Sequence, residues 1–430
     1  MIENINGVIW RFESNGKEAI LGSANGSKRA IGSNATGAVE IPQSLGGCPV
    51  TSIGKMAFLD CTRITSVRIP LTVAKIGKGA FAGCTSIAYY NVALANRHYA
   101  SRGGIVFSKD DTAIVAFPAG KKKEEFTLPN DVETIGDWAL AFCPSLRNVA
   151  IPESVTSIGD AAFGCCPNIE SFSVAPDNPN FAACEGVLFS KDQTTLFSYP
   201  SGRRGAYEIP QNVTTIKVGA FAGCASLTSA TIPEGVASIA DWTFAFCTSL
   251  ASVTVPKSVT GIGDSAFKGC ARLASLTIPD SVATIGANAF AGCESLANLT
   301  IGPGVTKIGD CAFCGCKNLL SFSVAEDNKC FTAIDGVLFS KDRTTLIAYP
   351  AARHGAYEIP DSVLAIRRQA FANCSGLTSV SIPGSVAKFG PWAFMDCEAL
   401  TSVTFTSMRP SILQRLCFRR VLISFPAAIP

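Results

Sequence analysis

The chain has 430 residues, 47% hydrophobic and only 16% charged, with a net charge of +3. That balance gives no general attraction to nucleic acid or acidic lipid. No apolar run reaches the roughly 18 residues of a spanning helix, and the N-terminal MIENINGVIWRFESNG lacks the basic segment and apolar run of a secretory signal.

Residues 1–40 fall outside any repeat. Gly7–Phe12 reads as a strand, Ser14-Asn15-Gly16 as a turn and Ala19–Leu21 as an antiparallel return. Together they are expected to cap the exposed apolar end of the structure that follows.

From Ile41 the chain repeats itself, most cleanly at Ile278–Thr300 (IPDSVATIGANAFAGCESLANLT). Apolar residues fall at Ile278, Val282, Ile285, Phe290, Leu296 and Leu299, with Ala289 and Cys293 between. Copies begin at Ile41, Ile69, Leu128, Ile151, Ile209, Ile232, Val255, Ile278, Ile301, Ile359 and Ile382, most of them 23 residues apart. A unit this short cannot close a core alone, so its copies must stack and bury one continuous column. Eleven coils at about 4.8 Å each would span about 50 Å.

Within a unit, Leu296-x-x-Leu299-x-Ile301 reads as one strand, ended by the residue pair that begins with proline in most copies. Val282–Ile285 reads as a second extended piece. Gly286, with Gly136, Gly159, Gly263 and Gly309 in the same column, reads as a turn that needs positive φ. Phe290 and Gly292-Cys293 mark a tight return of at most one 3₁₀ turn. The first unit holds five extra residues around Leu45–Pro49.

Three steps are longer and hold related inserts at about 92–127, 174–208 and 324–358. In each an apolar run (Gly186–Phe189, Gly336–Phe339) meets Ser-Lys-Asp and then a second run (Thr195–Tyr199, Thr345–Tyr349). This reads as a β-hairpin that loops out of the array. From Met408 the repeat is lost. Residues 411–424 with Arg415, Arg419 and Arg420 read as a basic amphipathic helix for a membrane surface or acidic partner, as a cap, or as a tail without selected structure.

Of 18 cysteines, 11 share one column, from Cys61 and Cys84 through Cys293 to Cys397. They read as a ladder of buried, unbridged thiols acting as small apolar fillers. Cys311, Cys314 and Cys316 are the best candidate for zinc, but only three thiols are local and Cys293 is the nearest fourth. His98 and His354 occupy non-equivalent positions, and Asp110, Asp192 and Asp342 sit in turns. Phosphate-loop and His-Glu-x-x-His motifs are absent. No catalytic residue, metal ligand or cofactor is therefore assigned, and an enzyme is not expected.

The inserts share a basic and aromatic feature: Lys121, Lys122 and Lys123; Arg203, Arg204 and Tyr207; Arg353, His354 and Tyr357. Arg and Tyr are the residue types of interaction hot spots. These insert tips are candidate contacts for an anionic glycan or acidic protein surface, or simply solubilising turns. The columns of Ser and Thr (Thr231, Thr254, Thr277, Thr300) offer a second, flatter surface.

The pattern I-P-x-S-V-T-x-I-G-x-x-A-F-x-G-C-x-x-L-x-S-V-T resembles the BspA-like leucine-rich-repeat proteins over Ile41–Thr406, inserts included. The resemblance implies a mainly β leucine-rich-repeat solenoid, a curved parallel array, on a cell surface or secreted and used for adhesion and protein or matrix binding. The expectation is a monomeric, non-catalytic module that binds a protein or surface glycan. An intracellular scaffold is the alternative, since neither an export signal nor an anchor is read in this chain.

Overall fold

The computed structural model describes residues 1–406 and the backbone of 422–424. Among the described residues every regular element is a β-strand. Two compact units result: Met1–Arg203 with Lys217–Cys224, and Arg204–Ile216 with the chain from Ala225 onward.

In the second unit, one coil runs along three walls. On the first, Asn298–Ile301 pairs in parallel with Ser321–Val324, Leu299 beside Phe322. On the second, Thr284–Ile285 pairs with Gly261–Ile262 and with Lys307–Ile308. On the third there is no strand and no 3₁₀ helix. Successive turns (Ala291 N to Asn288 O, 3.0 Å; Cys293 N to Phe290 O, 3.0 Å) carry the chain round. They also bond to the next coil, Phe290 N to Ala312 O at 2.8 Å and Gly292 N to Cys314 O at 2.7 Å. Every wall therefore spends its backbone groups on a neighbouring coil, which is why the unit cannot exist singly.

The apolar columns fill the interior. Phe244, Phe267, Phe290 and Phe313 form one file, with centroids 5.4, 5.4 and 6.0 Å apart and planes within 10° of parallel. In the first unit Phe58 stacks on Phe81 at 5.2 Å. The ladder cysteines are free and mostly buried. Each does more than fill space: Cys293 Sγ donates to Phe267 O at 3.2 Å, and Cys270 and Cys316 do the same to Phe244 and Phe290. The serine of I-P-x-S-V is explained likewise, since Ser281 Oγ donates to Val259 O at 2.7 Å.

The glycine column needs a different reason from the one its sequence suggested. Gly136, Gly159, Gly263, Gly286 and Gly309 do not have left-handed φ. A Cβ on Gly286 would stand 2.4 Å from the Gly263 carbonyl carbon, and one on Gly309 2.3 Å from Ala287 N. Close approach of stacked backbones, not turn geometry, demands glycine here. Left-handed φ occurs instead just before the Ala-Phe pair and four residues later, as at Asn288 (+56°) and Gly292 (+76°).

At the N-terminus, Val8–Ser14 lies between Ile2–Ile5 and Ala19–Leu21, antiparallel to both. The segment from 19 to 40 then follows all three walls without the consensus. Ala19–Leu21 pairs in parallel with Cys48–Ile53, Ala30 N bonds Ala57 O at 2.6 Å, and Thr36–Glu40 pairs with Arg63–Ile69. Trp10, 1% exposed, meets Phe58 edge-on and closes the end of the core. The extra residues near Leu45–Pro49 make a small hairpin.

Each insert is a three-stranded meander rather than a hairpin. Phe331–Ile334, Val337–Ser340 and Thr345–Ala348 run antiparallel, and the third strand enters the second wall beside Ala365–Ile366. Tyr349 N then bonds Ala370 O at 2.8 Å, and Gly355–Glu358 joins the first wall. The second half of the insert is thus a shortened coil within the stack. A buried asparagine pins each insert to the coil before it. Asn178 Nδ2 donates to Pro152 O (2.8 Å) and Val155 O (3.0 Å), while Oδ1 accepts from Asn180 N and Phe181 N. Asn96 and Asn328 repeat this arrangement. At the C-terminus Leu422–Ser424 is a strand beside Ser402–Thr404, not the end of a helix. Arg415, Arg419 and Arg420 lie outside the described residues.

Candidate functional site

The basic clusters are not at the insert tips. They occupy the turn after the third strand, and their first members are structural. Lys121 Nζ donates to Gly103 O at 2.7 Å, Arg353 Nη1 to Asp335 O at 2.8 Å, and Arg203 to Glu185 O and Glu170 O. Each clamps the first turn of its own insert. Lys122, Arg204 and His354 are exposed. Lys123 lies over the Phe126 ring at 5.4 Å, and Arg353 over Tyr349 at 5.7 Å. Tyr357 packs inward against Tyr349 and Phe371, and Tyr207 is half-buried. Tyr199 and Tyr349 stack on Phe221 and Phe371, where a coil would carry its phenylalanine.

The aspartates behave as turn residues. Asp192 Oδ1 accepts from Ser190 Oγ (2.6 Å), Thr194 Oγ1 (2.9 Å) and Thr194 N (3.0 Å), and Asp110 and Asp342 repeat this. The serine hydroxyl first, then the threonine groups, hold each carboxyl below its usual range.

The zinc candidate takes a different form. Cys311 and Cys314 are joined as a disulfide, and Cys316 points inward to Phe290 O at 3.2 Å. The three sulfurs therefore do not converge on one point. Among the described residues no group of three or more His, Cys, Asp or Glu is placed to hold a metal.

A feature missed in the sequence lies in the third-wall turns, at Trp138 in the first unit and at Trp242 and Trp392 in the second. Trp138, Trp242 and Trp392, three of the four tryptophans, fill one column, the residue before the Ala-Phe pair. Their φ angles are +59°, +60° and +58°. Bulky side chains avoid that region, and Gly79 and Gly219 show what the backbone alone would choose. Trp138 stacks on Phe142 with centroids 6.0 Å apart. Trp242 meets Phe246 at 6.2 Å, with Lys268 Nζ 5.3 Å over the indole. Trp392 is 42% exposed, with the Arg368 guanidinium 4.5 Å above it. Beside Trp138, where the first insert interrupts the stack, a cavity of about 160 Å³ opens among Gly79, Phe81, Tyr90 and Phe117. Lys78, at the same cavity, bonds Asp137 at 2.9 Å and Asp160 at 3.5 Å, and Asp137 holds its ammonium group charged. The sequence signal was Asp-Trp, Asp-Trp and Pro-Trp in equivalent positions.

A sequence profile of the BspA type leucine rich repeat region matches six copies, over residues 34–108, 114–202, 197–320 and 354–423. Similar solved structures include a leucine rich cell surface protein from Faecalibacterium prausnitzii, 27% identical over 94% of this chain and 76% of that one, with a TM-score of 0.35. The pneumococcal vaccine antigen PcpA is 18% identical over 100% and 99%, with a TM-score of 0.39. A leucine-rich repeat protein from Bacteroides ovatus is 21% identical over 99% of both chains, with a TM-score of 0.35. No curated protein matches the chain. Among the described residues no helix is long and apolar enough to cross a membrane.

Proposed function

Because the chain belongs to the BspA-type leucine-rich-repeat family, we propose that it is a non-catalytic binding module, displayed at a cell surface and contacting a protein or surface glycan. The observation that carries this reading is the tryptophan column. A tryptophan held in left-handed backbone is a costly choice wherever glycine would serve. Trp392 nevertheless keeps 42% of its surface exposed. Half-exposed indoles beside a cation suit the flat face of a sugar ring or the aromatic and guanidinium groups of a protein hot spot. Lys122, Arg204 and His354 add exposed polar contacts elsewhere on the surface.

The test uses the full chain, immobilised, against surface-protein extracts of host cells and against a glycan array. The parent chain is expected to retain a saturable ligand in one of the two. Trp138→Gly, Trp242→Gly and Trp392→Gly combined should lose that ligand at least tenfold in affinity, about 1.4 kcal/mol. A parent that retains nothing in either arm contradicts the binding function. A triple variant that binds as the parent does contradicts the role given to the tryptophans.

A further inference from the structure

One disulfide stands apart from the buried thiols. Cys311 and Cys314 lie in the third-wall turn of the coil that begins at Ile301, with Cα atoms 4.9 Å apart. Both are half-buried, whereas the ladder members Cys293 and Cys316 on either side are fully buried. They line a shallow recess with Tyr349, Arg367, Arg368 and Gln369.

Three features of this recess suit reversible chemistry. First, the bridge closes a loop of only four residues, and Cys314 N already donates to Cys311 O at 3.2 Å. So short a loop removes little chain entropy, so the fold does not depend on the bond. Second, the reduced state has partners. Gln369 Oε1 lies 2.8 Å from Cys311 Sγ, and Gln369 O lies 3.7 Å from Cys314 Sγ. On reduction each new thiol has an acceptor waiting, so neither is left unsatisfied. Third, the recess is lined by two arginines and one aspartate, Arg367, Arg368 and Asp310. Arg367 bonds Ile308 O (2.8 Å) and Asp310 (2.6 Å), and Arg368 lies over Trp392. Guanidinium groups beside a disulfide stabilise the thiolate that leaves when it opens.

We propose that Cys311–Cys314 is a thiol–disulfide exchange site that oxidises an exposed dithiol. A thiolate of the dithiol attacks one of the two sulfurs. A mixed disulfide forms, the Cys311–Cys314 bond breaks, and the other cysteine leaves as a thiolate beside the arginines. The second thiol of the dithiol, deprotonated, attacks its own mixed-disulfide sulfur and closes a disulfide there. The remaining cysteine is released. Two electrons and two protons pass from the dithiol to the pair, which ends as two thiols facing Gln369.

The experiment uses the oxidised full chain with dithiothreitol as the dithiol probe, quenched with a maleimide in denaturant and read by mass spectrometry. The expected result is a stoichiometric burst of oxidised dithiothreitol, with Cys311 and Cys314 gaining label together while the chain stays folded. Natural residues of the same columns supply the controls: Cys311→Ser copies Ser265 and Cys314→Ala copies Ala291. That double variant should fold and lose the burst. Arg367→Gln should slow the burst and move its pH profile upward, compared at a temperature where both chains are fully folded. Two outcomes would overturn the proposal. One is a pair already labelled before dithiothreitol is added. The other is opening of the bridge only at the rate of global unfolding.

Discussion

Phe267 and Phe290 lie face to face, ring centroids 5.4 Å apart and planes 3° from parallel. They are one repeat apart, so the period of the sequence has become the spacing of the core. Both are fully buried. Phe290→Ala would open a ring-sized void between two stacked neighbours and should cost about 3–5 kcal/mol. Phe290→Leu, the residue already present at Leu140, should cost well under half of that. Urea unfolding of the full chain measures both. Loss of amide-exchange protection should begin in the coils flanking residue 290, because each coil contacts only its neighbours. A cost below about 1 kcal/mol for the alanine variant would show that the file of rings does not hold the coils together.

Asn178 should be the most sensitive polar residue of its insert. Its amide donates to two carbonyls and accepts from two backbone N–H groups with no exposure to solvent. Asn178→Ala orphans those groups, each worth about 1–3 kcal/mol. Asn178→Asp should fare little better, since a carboxylate would face the Pro152 and Val155 carbonyls. Limited proteolysis should cut both variants between 179 and 195 before any other site. Cleavage at parental rates would mean that the insert is held by its strands alone.

Two glycine substitutions should behave oppositely to a reading of turn signals. Gly286→Ala puts a methyl group 2.4 Å from the Gly263 carbonyl carbon. It must push two coils apart and should lower the melting temperature by several degrees although φ there is ordinary. Trp392→Gly relieves a left-handed tryptophan, worth about 1–2 kcal/mol, but loses a cation–π contact of about 0.5–1 kcal/mol and the burial of the covered part of the indole. Its melting temperature should fall less than that of Gly286→Ala. Scanning calorimetry of the two variants compares them directly.

The ladder thiols make stability depend on pH. Burial pushes Cys270 and Cys316 up to about 12, and burial first, then its neighbours Cys270 and Cys316, raises Cys293 well above its usual value. The folded chain keeps these protons while the unfolded chain releases them near pH 8.5. The stabilisation is complete below that pH and is lost as pH rises toward 12, by up to about 1.4 kcal/mol per pH unit for each thiol. Denaturant midpoints should therefore fall between pH 9 and 11, and Cys270→Ala with Cys316→Ala should flatten the slope. An unchanged slope would show that the thiols do not stay protonated in the fold.

The columns of Ile, Val, Phe and Cys were legible because packing identical coils requires like residues at a fixed period. The third strand of each insert was legible as a hairpin arm, but its place in the stack was not, and the first strand, Phe181–Cys184 or Phe331–Ile334, was missed. Ala113–Ala116 and Thr345–Ala348 join the stack through backbone hydrogen bonds, which leave no consensus. Asn96, Asn178 and Asn328 gave no signal, since burial of a fully bonded asparagine has no composition of its own. The glycine column was visible but ambiguous, because positive φ and close approach select the same residue. Trp138, Trp242 and Trp392 were hidden by the Met, Gly, Ala, Ser, Asn, Cys and Gln that share their column, and Cys311–Cys314 by the thiol ladder around it.

The most direct test is quantitative binding of the captured ligand by two triple variants, each checked to be fully folded at the assay temperature. The first carries Trp138→Gly, Trp242→Gly and Trp392→Gly; the second carries Lys122→Ser, Arg204→Ser and His354→Ser. The expected result is at least a tenfold loss of affinity in the first and a smaller loss, removed by salt, in the second. Full affinity in the tryptophan variant would contradict a binding module that works through its third-wall tryptophans.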